Sequence, residues 1–110
     1  MEHIPLTEGV FYILISVVEP NHGYGIMQNT EKLSNGRVKL AAGTLYGALN
    51  SLVEKGWITA LPSAENSRKK EYVITEQGKV VVCNELIRLK ELLTNGVAAA
   101  EQWTNEEETV

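Results

Sequence analysis

Ala42-Gly43-Thr44-Leu45-Tyr46-Gly47-Ala48-Leu49-Asn50-Ser51-Leu52-Val53-Glu54-Lys55-Gly56-Trp57-Ile58 is the stretch from which the fold can be read. Leu45, Leu49, Leu52 and Val53 fall on one face at helical spacing, so residues 42–55 form a helix that buries them. Thr44, Gly47, Asn50, Ser51 and Glu54 fall largely elsewhere, and Gly56 supplies the stop. A glycine inside a helix costs about 1 kcal/mol relative to alanine. Gly47 therefore needs a reason, and close approach of another molecule to the backbone is one.

Working outward, Leu6, Val10, Ile13, Leu14 and Val17 recur at helical spacing, with Thr7 as N-cap and Glu8 in the first turn. Pro20-Asn21-His22-Gly23 is expected to end that helix. Tyr24 to Leu33 has the composition of a second, shorter helix, which Asn35-Gly36 closes. Arg37-Val38-Lys39-Leu40 alternates polar and apolar, as a very short strand would, with both cations on one side.

Downstream, Trp57–Leu61 and Glu71–Thr75 are β-prone and flank the polar stretch Pro62 to Lys70, giving a hairpin with a basic-sided tip. Thr75 then N-caps a long terminal helix in which Val82, Leu86, Leu89, Leu93, Val97 and Ala100 lie close to a heptad seam. Asn95-Gly96 is expected to interrupt this helix after Thr94, and Thr104 to Val110 to form an acidic, frayed tail. The order of elements predicts an α+β, mainly α fold: a winged helix-turn-helix over 1–75, followed by a C-terminal dimerisation helix and acidic tail over 76–110. In such a module the third helix enters the major groove and the hairpin lies along the neighbouring backbone.

Composition bounds the function. One domain fits in 110 residues, and 44% hydrophobic with 22% charged residues describes a folded chain rather than a disordered one. The longest nearly apolar run, Val10 to Val18, is far short of the ~20 residues of a bilayer-spanning helix. Glu2 and Glu8 stand where a secretory signal would be basic, so a cytoplasmic protein without membrane partners is expected. The single Cys83 excludes an internal disulfide, and two histidines are too few for a structural zinc site. There is no G-x-S-x-G, no phosphate-cradling loop and no metal-ligand cluster, so neither an enzyme nor a cofactor is expected.

The net charge of −4 argues against a nucleic-acid partner until it is divided. Residues 1–36 carry one Lys against four Glu (−3), residues 37–79 seven Lys/Arg against four Glu (+3), and residues 80–110 two against six (−4). The basic block coincides with the third helix and the hairpin. Arg37 and Lys39 precede that helix, Lys55 ends it, and Arg68, Lys69 and Lys70 lie on the wing, all placed to reach phosphates.

Three motifs give a family resemblance. Gly43-Thr44-Leu45-Tyr46 through Gly56 resembles the G-T-L-Y-x-x-L-x-x-L-x-x-x-G recognition helix of PadR-like transcriptional regulators. His22-Gly23-Tyr24-Gly25-Ile26 is similar to the H-G-Y-G-I opening of their second helix. Arg68-Lys69-Lys70-Glu71-Tyr72-Val73-Ile74-Thr75-Glu76-Gln77-Gly78 resembles their R-R-K-Y-Y-x-L-T-x-x-G wing strand. The terminal helix matches, by position and length only, the short-chain branch with a single dimerisation helix. The resemblance implies a homodimeric repressor on a double-stranded, pseudo-palindromic operator, and favours DNA contact by Thr44 and Tyr46 over capping by one and plain surface for the other. It also raises release by a small aromatic effector, although Leu86, Ile87, Leu89, Leu92 and Leu93 occupy the middle of the terminal helix, where an aromatic-sandwich site would need aromatic residues.

Candidate DNA contacts are thus Arg37, Lys39, Gly43, Thr44, Tyr46, Gly47, Asn50, Arg68, Lys69 and Lys70, and the dimer seam is Val82, Leu86, Leu89, Leu93 and Val97. Asn50 can pair with adenine or simply be solvated. Trp103 either anchors the terminal segment on a partner subunit or on the first helix, or lines a ligand cavity. Cys83 is read as a small buried hydrophobe rather than a redox sensor, His22 as a loop or capping residue, and Tyr24-Gly25 as packing. The competing class is a winged-helix module that binds protein through its acidic outer surfaces, without an operator.

Overall fold

The computed structural model describes residues 3–62 and 70–107. Helix α1 (Glu8–Ser16) begins as its sequence demands: the Thr7 hydroxyl accepts from the Val10 N–H at 3.1 Å, and Glu8 sits in the first turn. It stops at Ser16, before the expected Pro20–Gly23 punctuation. The Val17 carbonyl accepts instead from the Ile74 N–H at 2.8 Å, so the chain turns where the sheet claims its backbone.

Strand β1 (Asn21–His22) follows, then α2 (Gly23–Leu33), whose N-cap is His22; its Nδ1 accepts from the Gly25 N–H at 3.3 Å, the capping role expected of it. Asn35 and Gly36, at φ 55° and 82°, turn the chain away from α2. The short strand expected over 37–40 is absent. The Arg37 N–H donates to the Ser34 carbonyl and the Val38 N–H to the Ser34 hydroxyl, so a turn consumes the groups a ladder would use.

Helix α3 (Ala42–Lys55) matches its expected bounds and ends on Gly56 at φ 79°. Strands β2 (Ile58–Leu61) and β3 (Glu71–Ile74) form the hairpin, and β1 completes an antiparallel sheet in the order β1-β3-β2, with Asn21 and Ala60 opposite Tyr72 on its two sides. The core is built by Ile13, Leu14 and Val17, by Ile26, by Leu45, Leu49 and Leu52, and by Ile58, Tyr72 and Ile74. Each fully buried Leu or Ile contributes about 1.5–3 kcal/mol. Val53, expected among them, is 37% exposed, because the helix turns it from the Leu45–Leu49–Leu52 line toward solvent.

Helix α4 (Glu76–Glu107) opens on the Thr75 hydroxyl, which accepts from the Gly78 N–H and donates to the Gly56 carbonyl. Gly78 is required by packing: a Cβ there would overlap the Trp57 carbonyl. Val81 and Val82 pack on the core. The helix then runs unbroken through Asn95-Gly96, where an interruption was expected, over 32 residues or about 48 Å. One glycine costs it about 1 kcal/mol, and the leucines, alanines and glutamates around it are strong helix formers.

Candidate nucleic-acid interface

Helix α3 divides into two faces. Leu45, Leu49 and Leu52 are buried, while Gly43, Thr44, Gly47 and Asn50 are exposed on the outward side. A Cβ added at Gly43 or Gly47 would meet nothing within 4 Å. Nothing among the described residues requires glycine at these positions, and the bare backbone leaves room for an outside molecule. Thr44 is not a cap: the N-cap position of α3 is Ala41 and makes no side-chain cap bond, so the Thr44 hydroxyl points out with the rest of this surface.

Tyr46 does more than its sequence position suggests. Its hydroxyl lies against Gly23 so closely that a Cβ on Gly23 would overlap it. It also neighbours Tyr72 of β3, whose phenol is pushed up by burial and further by Tyr46. Tyr46 therefore braces α3 against the start of α2 and the wing strand while remaining half-exposed. The glycine before Tyr24 is the sequence signal for this contact, and only a structure shows which side chain fills the space. Tyr24 itself is exposed; of the Tyr24-Gly25 pair only Gly25 is packed, against the Asn21 side chain, so the packing role expected of Tyr24 is not found.

The cations lie around this face. Arg37 pairs with Glu8 of α1, a partner that sequence spacing did not suggest, and both side chains stay about half-exposed. Lys39 and Lys70 are exposed. The Lys55 ammonium stands 4.9 Å from the centre of the Trp57 ring. Arg68 and Lys69 lie outside the described residues.

On α4, Val82 packs on the core of its own chain, whereas Leu86, Leu89, Leu93 and Val97 are exposed. Cys83 is exposed rather than buried, because it falls a hundred degrees around the helix from Val82. Trp103 is 69% exposed. The first turns of α4 are tied to the N-terminal arm by Glu85, which is only 2% exposed. Its carboxylate accepts from Arg88 Nε at 2.9 Å and Nη2 at 2.6 Å, pairs with His3 Nε2 at 2.7 Å, and accepts from the Leu6 N–H at 3.4 Å. The Arg88 bonds hold this carboxyl down to about 2 against the upward pull of burial, helped by His3 and Leu6.

Among the described residues no group of three or more His, Cys, Asp or Glu could hold a metal ion, and no helix is long and apolar enough to cross a membrane. Over residues 10–83 the sequence matches the family described as transcriptional regulator PadR-like. No curated protein matches the chain. Among solved structures, it is similar to a PadR family transcriptional regulator from Eggerthella lenta (25% identity, TM-score 0.64, covering 82% of this chain and 78% of that one). It is similar also to RosR of H. salinarum (25% identity, TM-score 0.62, covering 86% and 96%). Bacillus subtilis PadR in complex with operator DNA shares the fold at 23% identity and TM-score 0.64, over 76% of this chain and 49% of that one.

Proposed function

Because the chain belongs to the PadR-like family of transcriptional regulators, we propose that it is a DNA-binding repressor acting as a homodimer on a pseudo-palindromic operator, one α3 per half-site. The family is one of regulators, not of enzymes. The observation that carries the proposal is the outward face of α3, where Gly43, Thr44, Gly47 and Asn50 form a small, polar, exposed surface with open space at both glycines. A helix of this kind fits a major groove about 12 Å wide with its backbone close to the bases.

In this assignment residues 1–75 read DNA and residues 76–110 pair two copies. Thr44 and the half-exposed Tyr46 donate to phosphates or base edges, Asn50 reads a base, and Lys39, Lys70, Arg68 and Lys69 neutralise phosphates. Arg37 joins them when it leaves Glu8 for a phosphate. The exposed leucines of α4 form the dimer seam, since such a face is seldom left to water. With no arginine on the outward face of α3 to read guanine, DNA shape contributes to specificity. A small aromatic effector would release the operator by changing the separation of the two recognition helices from the roughly 34 Å between successive major grooves.

Anisotropy titration with DNA from the gene's own promoter region, at two salt concentrations, tests this. Expected is saturable binding whose log K falls with log salt by about 0.9 per phosphate contact. No binding, or binding indifferent to salt, would instead favour a winged-helix module for a protein partner.

A further inference from the structure

Two cations precede α3, and the fold treats them differently. Lys39 is exposed and forms no ion pair among the described residues, whereas Arg37 pairs with Glu8 in the first turn of α1. We propose that Glu8 is an internal competitor for DNA: it holds the Arg37 guanidinium in the free protein, must yield it to a phosphate when α3 docks, and so lowers operator affinity by the free energy of the pair. The inference rests on α3 reading DNA. It adds a residue on α1, away from the groove-reading helix, that limits how tightly the operator is held.

Both backbones are fixed, so the exchange of partners needs side-chain rotation alone. The Arg37 N–H donates to the Ser34 carbonyl at 3.1 Å, and the Val38 N–H to the hydroxyl of the same buried serine at 2.9 Å. Glu8 is carried by α1, whose start is capped by Thr7. Leu40, which packs on the core, lies 3.8 Å from where a side chain on Gly9 would begin, so the segment before α3 and the first turn of α1 stay side by side. Neither charge is stranded when the pair opens. Both side chains are about half-exposed, and the α1 N-terminus favours a carboxylate in its first turn with or without Arg37. An exposed pair of this kind is worth about two- to fivefold in an equilibrium. A phosphate can displace it, because a guanidinium makes two parallel bonds to phosphate and the contact releases a counterion. The approach to the N-terminal end of a groove-reading helix is where such a phosphate lies. Only a docked α3 brings one there, so a loose encounter with unrelated DNA leaves Arg37 on Glu8 and is affected less.

A double-mutant cycle on the full chain tests it, by anisotropy titration against promoter-region DNA and against an unrelated duplex of equal length and base composition. Glu8→Gln is expected to raise affinity for promoter DNA about two- to fivefold, and affinity for the unrelated duplex by less. Arg37→Gln should weaken promoter binding and reduce its salt slope by about 0.9, one phosphate contact. In the Arg37→Gln background the gain from Glu8→Gln should disappear, because no guanidinium is left to compete for. In a Lys39→Gln background it should persist in full. An equal gain in every background and on both duplexes would make Glu8 one negative charge among many and overturn the proposal. Glu8→Gln without any gain, or an unchanged salt slope in Arg37→Gln, overturns it too. A wild-type chain that binds neither duplex overturns the DNA-reading assignment itself, and this inference with it, which distinguishes the two failures.

Discussion

Helices α3 and α4 both leave a long face exposed, and the two faces could hardly differ more. That of α3 is made of Gly43, Thr44, Gly47 and Asn50, that of α4 of Leu86, Leu89, Leu93 and Val97. Small polar groups over bare backbone give little apolar area to bury but let a polyanion come close, and their hydrogen-bond donors survive contact with phosphate. Large aliphatic groups at heptad spacing gain nothing from DNA and much from a second copy of themselves. Exposure alone therefore does not identify an interface; the chemistry of what is exposed assigns the partner.

The strongest way to break this contrast is to give α4 a face like that of α3. Leu89→Glu, near the middle of the exposed seam, is expected to weaken dimerisation by more than a hundredfold, since it would bury two unpaired carboxylates against leucines. Light scattering should show monomers at concentrations where the wild type is dimeric, with circular dichroism unchanged. Operator affinity should collapse with the dimer, because each half-site alone retains only single-module binding. A dimer that survives this substitution would remove the seam from the assignment.

The complementary change removes from α3 the exposed Asn50 amide, which is proposed to read a base. Asn50→Ala is expected to cost about 1–3 kcal/mol in operator affinity and to relax preference at a single base pair, as loss of a bidentate contact to adenine does. Competition binding with operator variants would show it. A uniform loss across all sequences would make Asn50 a phosphate contact instead.

How much of this was legible beforehand depended on whether the deciding forces are local. Helix α3 could be bounded from Leu45, Leu49, Leu52 and Gly56 alone, because apolar period and a left-handed stop are properties of short segments. The caps at Thr7 and Thr75 were legible for the same reason. The end of α1 was not: Ser16 is followed by nothing that forbids a helix until Pro20, and the stop is imposed by Ile74, more than fifty residues away. The third strand was misplaced at 37–40 for a similar cause, since pairing partners decide strands as short as two residues. In the site, the exposed glycines could be suspected from composition, but the packing of Tyr46 on Gly23 and the pairing of Arg37 with Glu8 are tertiary facts. Of the basic wing, Lys70 is exposed as expected, while Arg68 and Lys69 lie outside the described residues.

Gly47→Ala sharpens the comparison from the other side, by setting stability against function at one atom. The added methyl meets nothing in the chain and removes the entropic penalty of glycine in a helix, so the fold should gain up to about 1 kcal/mol and melt a few degrees higher. Affinity for the operator should nevertheless fall several-fold, because the methyl holds the backbone away from the groove. Thermal melts and anisotropy on the same sample decide it: a more stable protein with unchanged affinity would mean that DNA does not approach α3 at position 47.

The smallest expected effect on operator binding is at Glu85, where α4 is joined to the N-terminal arm. Its carboxyl sits at about 2 in the fold against an ordinary 4.5, because Arg88, His3 and the Leu6 N–H all favour the charged form. A group with a lowered folded pKa adds stability that is fully present above about pH 4.5 and is lost as pH falls toward 2. Glu85→Gln keeps the shape and an acceptor for the Leu6 N–H but removes the charge that Arg88 neutralises, so it should cost about 2–3 kcal/mol of stability at pH 7. Below pH 4.5 the difference between wild type and variant should shrink, and it should vanish only below about pH 2, where the wild-type carboxyl is protonated too. Urea unfolding at a series of pH values measures the convergence. Parallel stability curves that never meet would show that Glu85 stabilises the junction through packing rather than through its charge.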